Sequence, residues 1–213
     1  MESTPTVLIS GFADEAAVTK GAVEQLSVFA GLGLEYYSLR FIDLGEGVKN
    51  VMKLTKPEIA ELLRLHKVYD MKVASIGSPI GKVKLLDEDD GTKNAFVPFE
   101  KFLAEDVSRA IELCYTFETK LLRGFSFYAP RGEDSTKHIP QASDQLAAIA
   151  EKCGRADVIF GLELEANLVG KNGRTLAEIY GRVNSPHMKL IFDGGNLSTQ
   201  NIPAPRSSPS TRR

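Results

Sequence analysis

The sequence predicts an α/β protein, a (β/α)8 barrel of which about six of the eight βα units are present. Three observations predict it. Short apolar runs alternate regularly with stretches of helical apolar spacing along the whole chain, and repeated βα units imply parallel strands because each return needs a crossover. No strand is followed by the G-x-G-x-x-G pattern that a doubly wound dinucleotide fold would want. The residues suited to chemistry stand at the C-terminal ends of several strands, where barrel enzymes carry them.

The elements follow in order. Thr6 to Ser10 is a short apolar run, too compact for a helix. Asp14 to Phe29 has apolar residues at helical spacing and is stopped by Gly31-Leu32-Gly33. Leu34 to Leu39 is a second strand, ending at Arg40. Pro57 to Tyr69 is a helix, with Thr55 as N-cap, Glu58 three residues on, and Ile59, Leu62, Leu63 and Val68 close to one stripe. Lys72 to Ile76 is a third strand, followed by Gly77-Ser78-Pro79-Ile80-Gly81-Lys82, which lacks P-loop spacing. Leu86 to Lys93 is an acidic loop, Phe99 to Phe117 a long helix, Lys120 to Phe127 a fourth strand and Tyr128 to His138 a polar loop. A helix from Pro140 to Cys153 leads to the fifth strand, whose run Val158 to Asn167 ends in Glu165-Ala166-Asn167. A helix from Arg174 to Val183 leads to the sixth, Met188 to Asn196, ending in Asp193-Gly194-Gly195-Asn196.

Composition bounds the class. The 213 residues suffice for one sizeable core, and 43% hydrophobic with 25% charged residues is ordinary for a soluble globular protein. The net charge of −2 gives no electrostatic reason to expect nucleic acid or a membrane surface as partner. Cys114 and Cys153 lie in helical apolar patterns and read as buried free thiols. The N-terminus lacks a signal-peptide pattern, and no run of about 18 apolar residues could span a bilayer, so a cytoplasmic location is expected.

Glu165 and Asp193 end successive strands and form the candidate metal pair. Each has an ordinary alternative: a strand-end acid paired with Lys or Arg for Glu165, and a turn residue before glycine for Asp193. Asn167 and Asn196 read either as supports of that pair or as turn formers. Glu163 shares the strand parity of Glu165 and lies deeper. Arg40 could hold a substrate phosphate or carboxylate through its fork, or bridge to a neighbouring loop. Ser78 and Lys82 are candidates for the same mouth, with Lys82 otherwise a solvated loop residue. Arg123, within the fourth strand, requires an acidic partner in the interior and counts among the substrate contacts. His66 reads as a surface residue of its helix. His138 and His187 are not at C-terminal strand ends.

These features, above all Glu165-Ala166-Asn167, Phe192-Asp193-Gly194-Gly195-Asn196, Ser75 to Lys82 and the Arg40 strand end, resemble the xylose isomerase-like TIM-barrel superfamily of sugar-phosphate isomerases and epimerases. The resemblance runs from Thr6 to about Asn201. It implies a divalent ion (Mn, Mg, Co or Zn) at the barrel mouth, held by Glu, Asp, His and Glu from the fifth to eighth strands. The first two ligands correspond to Glu165 and Asp193, and the other two have no counterpart here. It implies metal-assisted proton transfer on a ketose or aldose, with Glu165 as ligand and proton carrier and a small sugar or sugar phosphate as partner. A homo-oligomer is compatible with this. A carboxylate-rich site independently suits hard ions.

Two other readings stand beside it. An endonuclease-IV-like metal phosphodiesterase would require more histidines and a basic groove. A non-catalytic fragment would expose a bare sixth-strand edge and apolar interior, making it poorly soluble or dependent on a partner. The domain boundary is expected near residue 201. Residues 202–213 are free of acids and rich in Pro, Ser and Arg, and read as disordered. They are either a natural flexible end or the product of a shifted frame, since codons can be chosen for Pro205 to Arg213 that spell Glu-Val-Phe-Ala-Leu-Tyr-Glu-Ala in a second frame. The DNA sequence decides between these.

Overall fold

The computed structural model describes residues 7–198. Its centre is a parallel five-stranded sheet in the order β1 (Tyr36–Leu39), β4 (Lys72–Gly77), β5 (Leu121–Gly124), β6 (Ile159–Glu163), β7 (Met188–Ile191). An antiparallel pair, β2 (Phe41–Asp43) and β3 (Val48–Asn50), follows β1. The chain is thus α/β with a partial barrel, as the βα alternation required.

The helices lie where the crossovers demand them. They are α1 (Ala13–Ala16), α2 (Ala22–Gly31), α3 (Lys56–Tyr69), α4 (Phe99–Phe102), α5 (Ser108–Thr116), α6 (Ile139–Arg155), α7 (Gly173–Val183) and α8 (Gly194–Ser198). Thr55 and Glu58 close a capping box on α3, as their spacing predicts. The long helix expected from Phe99 to Phe117 is α4 and α5 joined by a π-helical turn, Leu103–Val107. In the core, Tyr37, Leu39, Ile76, Leu122, Phe160 and Leu162 from the strands pack in one cluster with Leu62, Leu113, Leu146, Ile149 and Ile179 from the helices. Cys114 and Cys153 are buried free thiols in that cluster.

Three expectations need correction, and one element, the β2–β3 hairpin, was not expected. The run at Thr6 to Ser10 is not a laddered strand over its described part; the contacts with β1 begin one residue later, at a Ser38 N–H to Gly11 carbonyl bond and a single bridge between Phe12 and Ser38. Val7, Leu8 and Ile9 are correspondingly exposed. The helix expected from Asp14 to Phe29 is broken into α1 and α2, because Lys20 takes a positive φ of 58° between them. The hairpin β2–β3 carries too short a pattern to stand out in sequence. On α3, Val68 is exposed and the buried stripe runs through Leu62 and Leu65. Residues 202–213, and Thr6 of the first run, lie outside the described residues. At the β7 edge Phe192 is 78% exposed.

His66 is also corrected, from surface to buried. Its Nε2 lies 2.6 Å from the hydroxyl of the fully buried Tyr37, and its ring meets those of Tyr37 and Phe117 edge-on. Burial disfavours the imidazolium and pulls the His66 pKa down to about 4. The unfolded chain binds this proton near pH 6.5 and the folded chain only near 4, so stability contributed by neutral His66 is complete above pH 6.5 and lost as the pH falls toward 4. Up to about 3 kcal/mol should disappear across that window. Urea melts of the wild type and His66→Gln at pH 7 and pH 4.5 test this. A gap between the two proteins that does not change with pH would contradict it.

Candidate functional site at the strand ends

The C-terminal ends of β1, β4, β5, β6 and β7 converge on a cavity of about 210 Å³. Its lining includes Arg40, Ser78, Lys82, Arg123, Glu165 and Asp193, together with Glu163, Asn196 and the ring of Phe125. All but one of the residues singled out from sequence therefore meet in one place. The exception is Asn167, which is exposed in the turn after Glu165 and does not line the cavity.

Two glycines shape the rim. Gly77, the last residue of β4, faces the Phe12 ring and the Arg40 stem so closely that an added Cβ would lie 2.7 and 2.8 Å from them. Gly81 sits at the third position of the turn Pro79-Ile80-Gly81-Lys82, closed by a 2.8 Å bond from the Lys82 N–H to the Pro79 carbonyl. This position requires its φ of +84°. The turn is zipped to the end of β5: the Phe125 N–H donates to the Ile80 carbonyl at 2.7 Å, and the Phe127 N–H to the Gly81 carbonyl at 2.9 Å. That attachment carries Lys82 over the Phe125 ring, 4.2 Å from its centroid, with its ammonium 2.9 Å from Glu165 Oε2.

Each acid already has a protein partner. Glu165 lies two residues beyond β6 and pairs with Lys82. Asp193 accepts the Asn196 N–H at 3.0 Å and the Asn196 side-chain amide at 2.7 Å, so it also caps the short α8. The same amide donates to the Leu164 carbonyl at 3.1 Å, tying the two strand ends together. Glu163, the last residue of β6, lies 3.2 Å from Arg123 Nε. Burial raises the Glu163 pKa despite the pull of Arg123, with Asp193 and Glu165 adding to the rise. Arg123 thus has the interior acid that its position in a strand demanded.

Arg40 is fastened from behind. Its Nε and Nη2 donate to Asp14, whose side chain is wholly buried, and Nη2 also reaches Glu15 at 2.7 Å. Burial opposes the guanidinium charge, yet these two acids outweigh it and raise the Arg40 pKa. Arg40 therefore bridges to a neighbouring loop and also lines the cavity. Ser78 lines the cavity as part of the loop after β4. It is fully buried, donates to the Arg123 carbonyl at 2.6 Å and accepts from the Ile80 N–H at 3.2 Å, so it braces the loop. Sequence reasoning passed over Asp14, Glu15 and Phe12. Their only trace was an acidic pair after an aromatic residue near the first apolar run.

The donor set gives part of a shell for a hard divalent ion. Glu165 and Asp193 offer carboxylate oxygens at one cavity, and Glu165 already accepts a cation, the Lys82 ammonium. Among the described residues no three His, Cys, Asp or Glu side chains come together closely enough to hold a metal by themselves. An ion here would complete its shell with water or ligand oxygens. His66, His138 and His187 do not line the cavity.

Residues 26–207 match the family model described as xylose isomerase-like TIM barrel. The chain belongs to this family. Among solved structures it is similar to a xylose isomerase-like TIM barrel protein from Mycobacterium smegmatis in complex with magnesium, at 16% identity and a TM-score of 0.61, covering 89% of this chain and 65% of that one. It is similar to the D-allulose 3-epimerase from Methylomonas sp., at 16% identity and 0.62, covering 92% and 66%. It is also similar to the IOLI protein with a zinc atom, at 14% identity and 0.63, covering 88% and 63%. At these identities the likeness is one of fold, and the chain spans less than two thirds of the length of each. A search of curated proteins found no match. Among the described residues no helix is long and apolar enough to cross a membrane.

Proposed function

We propose that this chain carries the site of a sugar or sugar-phosphate isomerase or epimerase, in which proton transfer beside a carbonyl is assisted by a divalent ion. The observation that carries the reading is that Glu165 and Asp193, from the ends of neighbouring parallel strands, line one small polar cavity. The cavity's volume is below the roughly 300–1,000 Å³ typical of small-molecule sites, which suits a single small metabolite. The family includes epimerases, and the solved relatives include structures with magnesium, zinc and D-allulose.

Glu165 and Asp193 would hold the ion. Bound there, it would supply Lewis-acid stabilisation of charge on a carbonyl or enediolate oxygen. The chain's own residues do the rest. Glu165 moves the proton at the adjacent carbon, which requires its carboxylate within hydrogen-bond reach of that carbon. Asn196 holds Asp193 in place through both carboxylate oxygens, and Lys82 sets the direction of Glu165. Arg40 and Arg123 face the substrate. A phosphodiesterase reading has less support, because the three histidines lie away from the cavity.

Solvent exchange tests the reaction directly. With Mn²⁺ in D₂O, wild-type protein is expected to incorporate deuterium beside the carbonyl of at least one member of a panel of ketoses and ketose phosphates, read by proton NMR. Glu165→Gln should slow that exchange by about a hundredfold or more, in line with the loss of a general base. No exchange with any panel member, or equal exchange in the variant, would overturn the proposal.

A further inference from the structure

A larger cavity, of about 360 Å³, lies at the opposite end of the sheet from the candidate site. Tyr36 and Lys72, which begin β1 and β4, line it, as do Leu63 and His66 of α3 and Phe117 at the end of α5. Its apolar wall is built from the rings of Tyr36 and Phe117 with Leu63, Met71 and Val73. An apolar cavity of about 150 Å³ takes up benzene, and small-molecule sites begin at roughly 300 Å³. This cavity therefore has room for two fused rings.

His66 supplies the polar group. The residue is 9% exposed, and its Nε2 is taken by the Tyr37 hydroxyl at 2.6 Å. Tyr37 is fully buried, and among the described residues its hydroxyl has no other partner. A buried hydroxyl proton needs an acceptor, so Tyr37 donates and Nε2 accepts. The ring proton of neutral His66 then sits on Nδ1. Among the described residues Nδ1 makes no hydrogen bond, yet it is not sealed off: the sealed side-chain atoms without a partner are Arg123 Nε and Ser135 Oγ. An N–H that is neither bonded nor sealed opens onto the cavity that its ring lines.

The rim is charged but balanced. Lys67, Asp70, Lys72 and Glu118 are exposed around the opening, two of each sign, and among the described residues none of them is in an ion pair. A ligand with net charge gains from one pair what the other takes back. Binding must then come from the apolar wall and the single inward donor.

We propose that this cavity is a second ligand site, which takes a small uncharged aromatic molecule of two fused rings that accepts a hydrogen bond from His66 Nδ1. The flat body meets the Tyr36 and Phe117 rings, where aromatic contacts add to area burial. The proposal does not rest on the sugar site, and no residue is shared between the two cavities.

Nuclear magnetic resonance titrations of the full chain at pH 7.5 test it with three probes of one size: quinoline, 2-naphthoate and 2-naphthylmethylammonium. Quinoline is expected to bind with a Kd of about 1 mM or below, shifting the amides of Tyr36, Met71, Lys72 and Glu118. The two charged probes should bind at least fivefold more weakly. Leu63→Trp, at a partly exposed wall position, should fill the slot and abolish binding. His66→Phe keeps a ring but removes the donor, and should weaken quinoline about tenfold. Long-range proton–nitrogen spectra of the wild type should show the proton on Nδ1 and a shift of that nitrogen with quinoline, which keeps the donor testable if the His66 variant fails to fold. No shift at these amides, tighter binding of a charged probe, undiminished binding in Leu63→Trp or His66→Phe, or a proton on Nε2 instead would overturn the proposal.

Discussion

Exchanging Lys82 for methionine is expected to raise the affinity for Mn²⁺ about tenfold, equivalent to about 1.4 kcal/mol. The Lys82 ammonium lies 2.9 Å from Glu165 Oε2, so a divalent ion approaching that carboxylate must displace a tethered cation. Methionine keeps an unbranched stem to pack on the Phe125 ring while removing the charge. The pair is partly exposed, so its loss should cost less than about 1 kcal/mol of stability. Glu165→Gln is the converse: it deletes one of the two carboxylates proposed to hold the ion and should weaken Mn²⁺ binding by about a hundredfold or more. Both are read from the electron paramagnetic resonance signal of free Mn²⁺ in titrations at fixed ionic strength. Equal affinity in wild type and Lys82→Met would show that Lys82 does not compete for the ion. Unchanged affinity in Glu165→Gln would remove Glu165 from the metal site altogether.

Gly81→Ala should destabilise the protein by about 3 kcal/mol or more. A Cβ on Gly81 would stand 2.0 Å from the Phe125 carbonyl oxygen, and the neighbour is backbone that cannot rotate away. The φ of +84° adds left-handed strain for any L side chain. Relief would require the turn to part from the end of β5, breaking the bonds from Phe125 and Phe127 and moving Lys82. Gly91→Ala is the matched control. Gly91 has a similar φ of +70° but open space around it, so only the backbone strain of about 1–2 kcal/mol applies. Urea denaturation of both variants separates the two effects. Equal losses would mean that the close approach at Phe125 carries no energy.

The βα order, the five sheet strands and most crossover helices were legible because periodicity reports burial. The Thr55–Glu58 capping box was legible because capping is local in sequence. Glu165 and Asp193 stood out because strand-end acids in consecutive βα units must face the same end of a parallel sheet. The interior acid demanded by Arg123 was foreseeable from desolvation alone, and it is Glu163. What failed depended on distant neighbours. His66 looked like a surface residue because nothing in α3 announces Tyr37 and Phe117 on either side of it. The bond from the Ser78 hydroxyl to the Arg123 carbonyl was equally invisible, because the two lie 45 positions apart.

The sequence by itself determined the class of fold and the end of the sheet at which the candidate residues gather, since alternation of side chains and chain reversal are local properties. Only the tertiary structure decided how the charges are shared. Lys82 comes to Glu165 across 83 positions of chain, and Asp14 comes to Arg40 across 26. Phe12 separates two guanidinium groups that no spacing relates. Coulombic and cation–π energies depend on distance in space, and in this chain those distances are set by how the strand-end loops pack against one another.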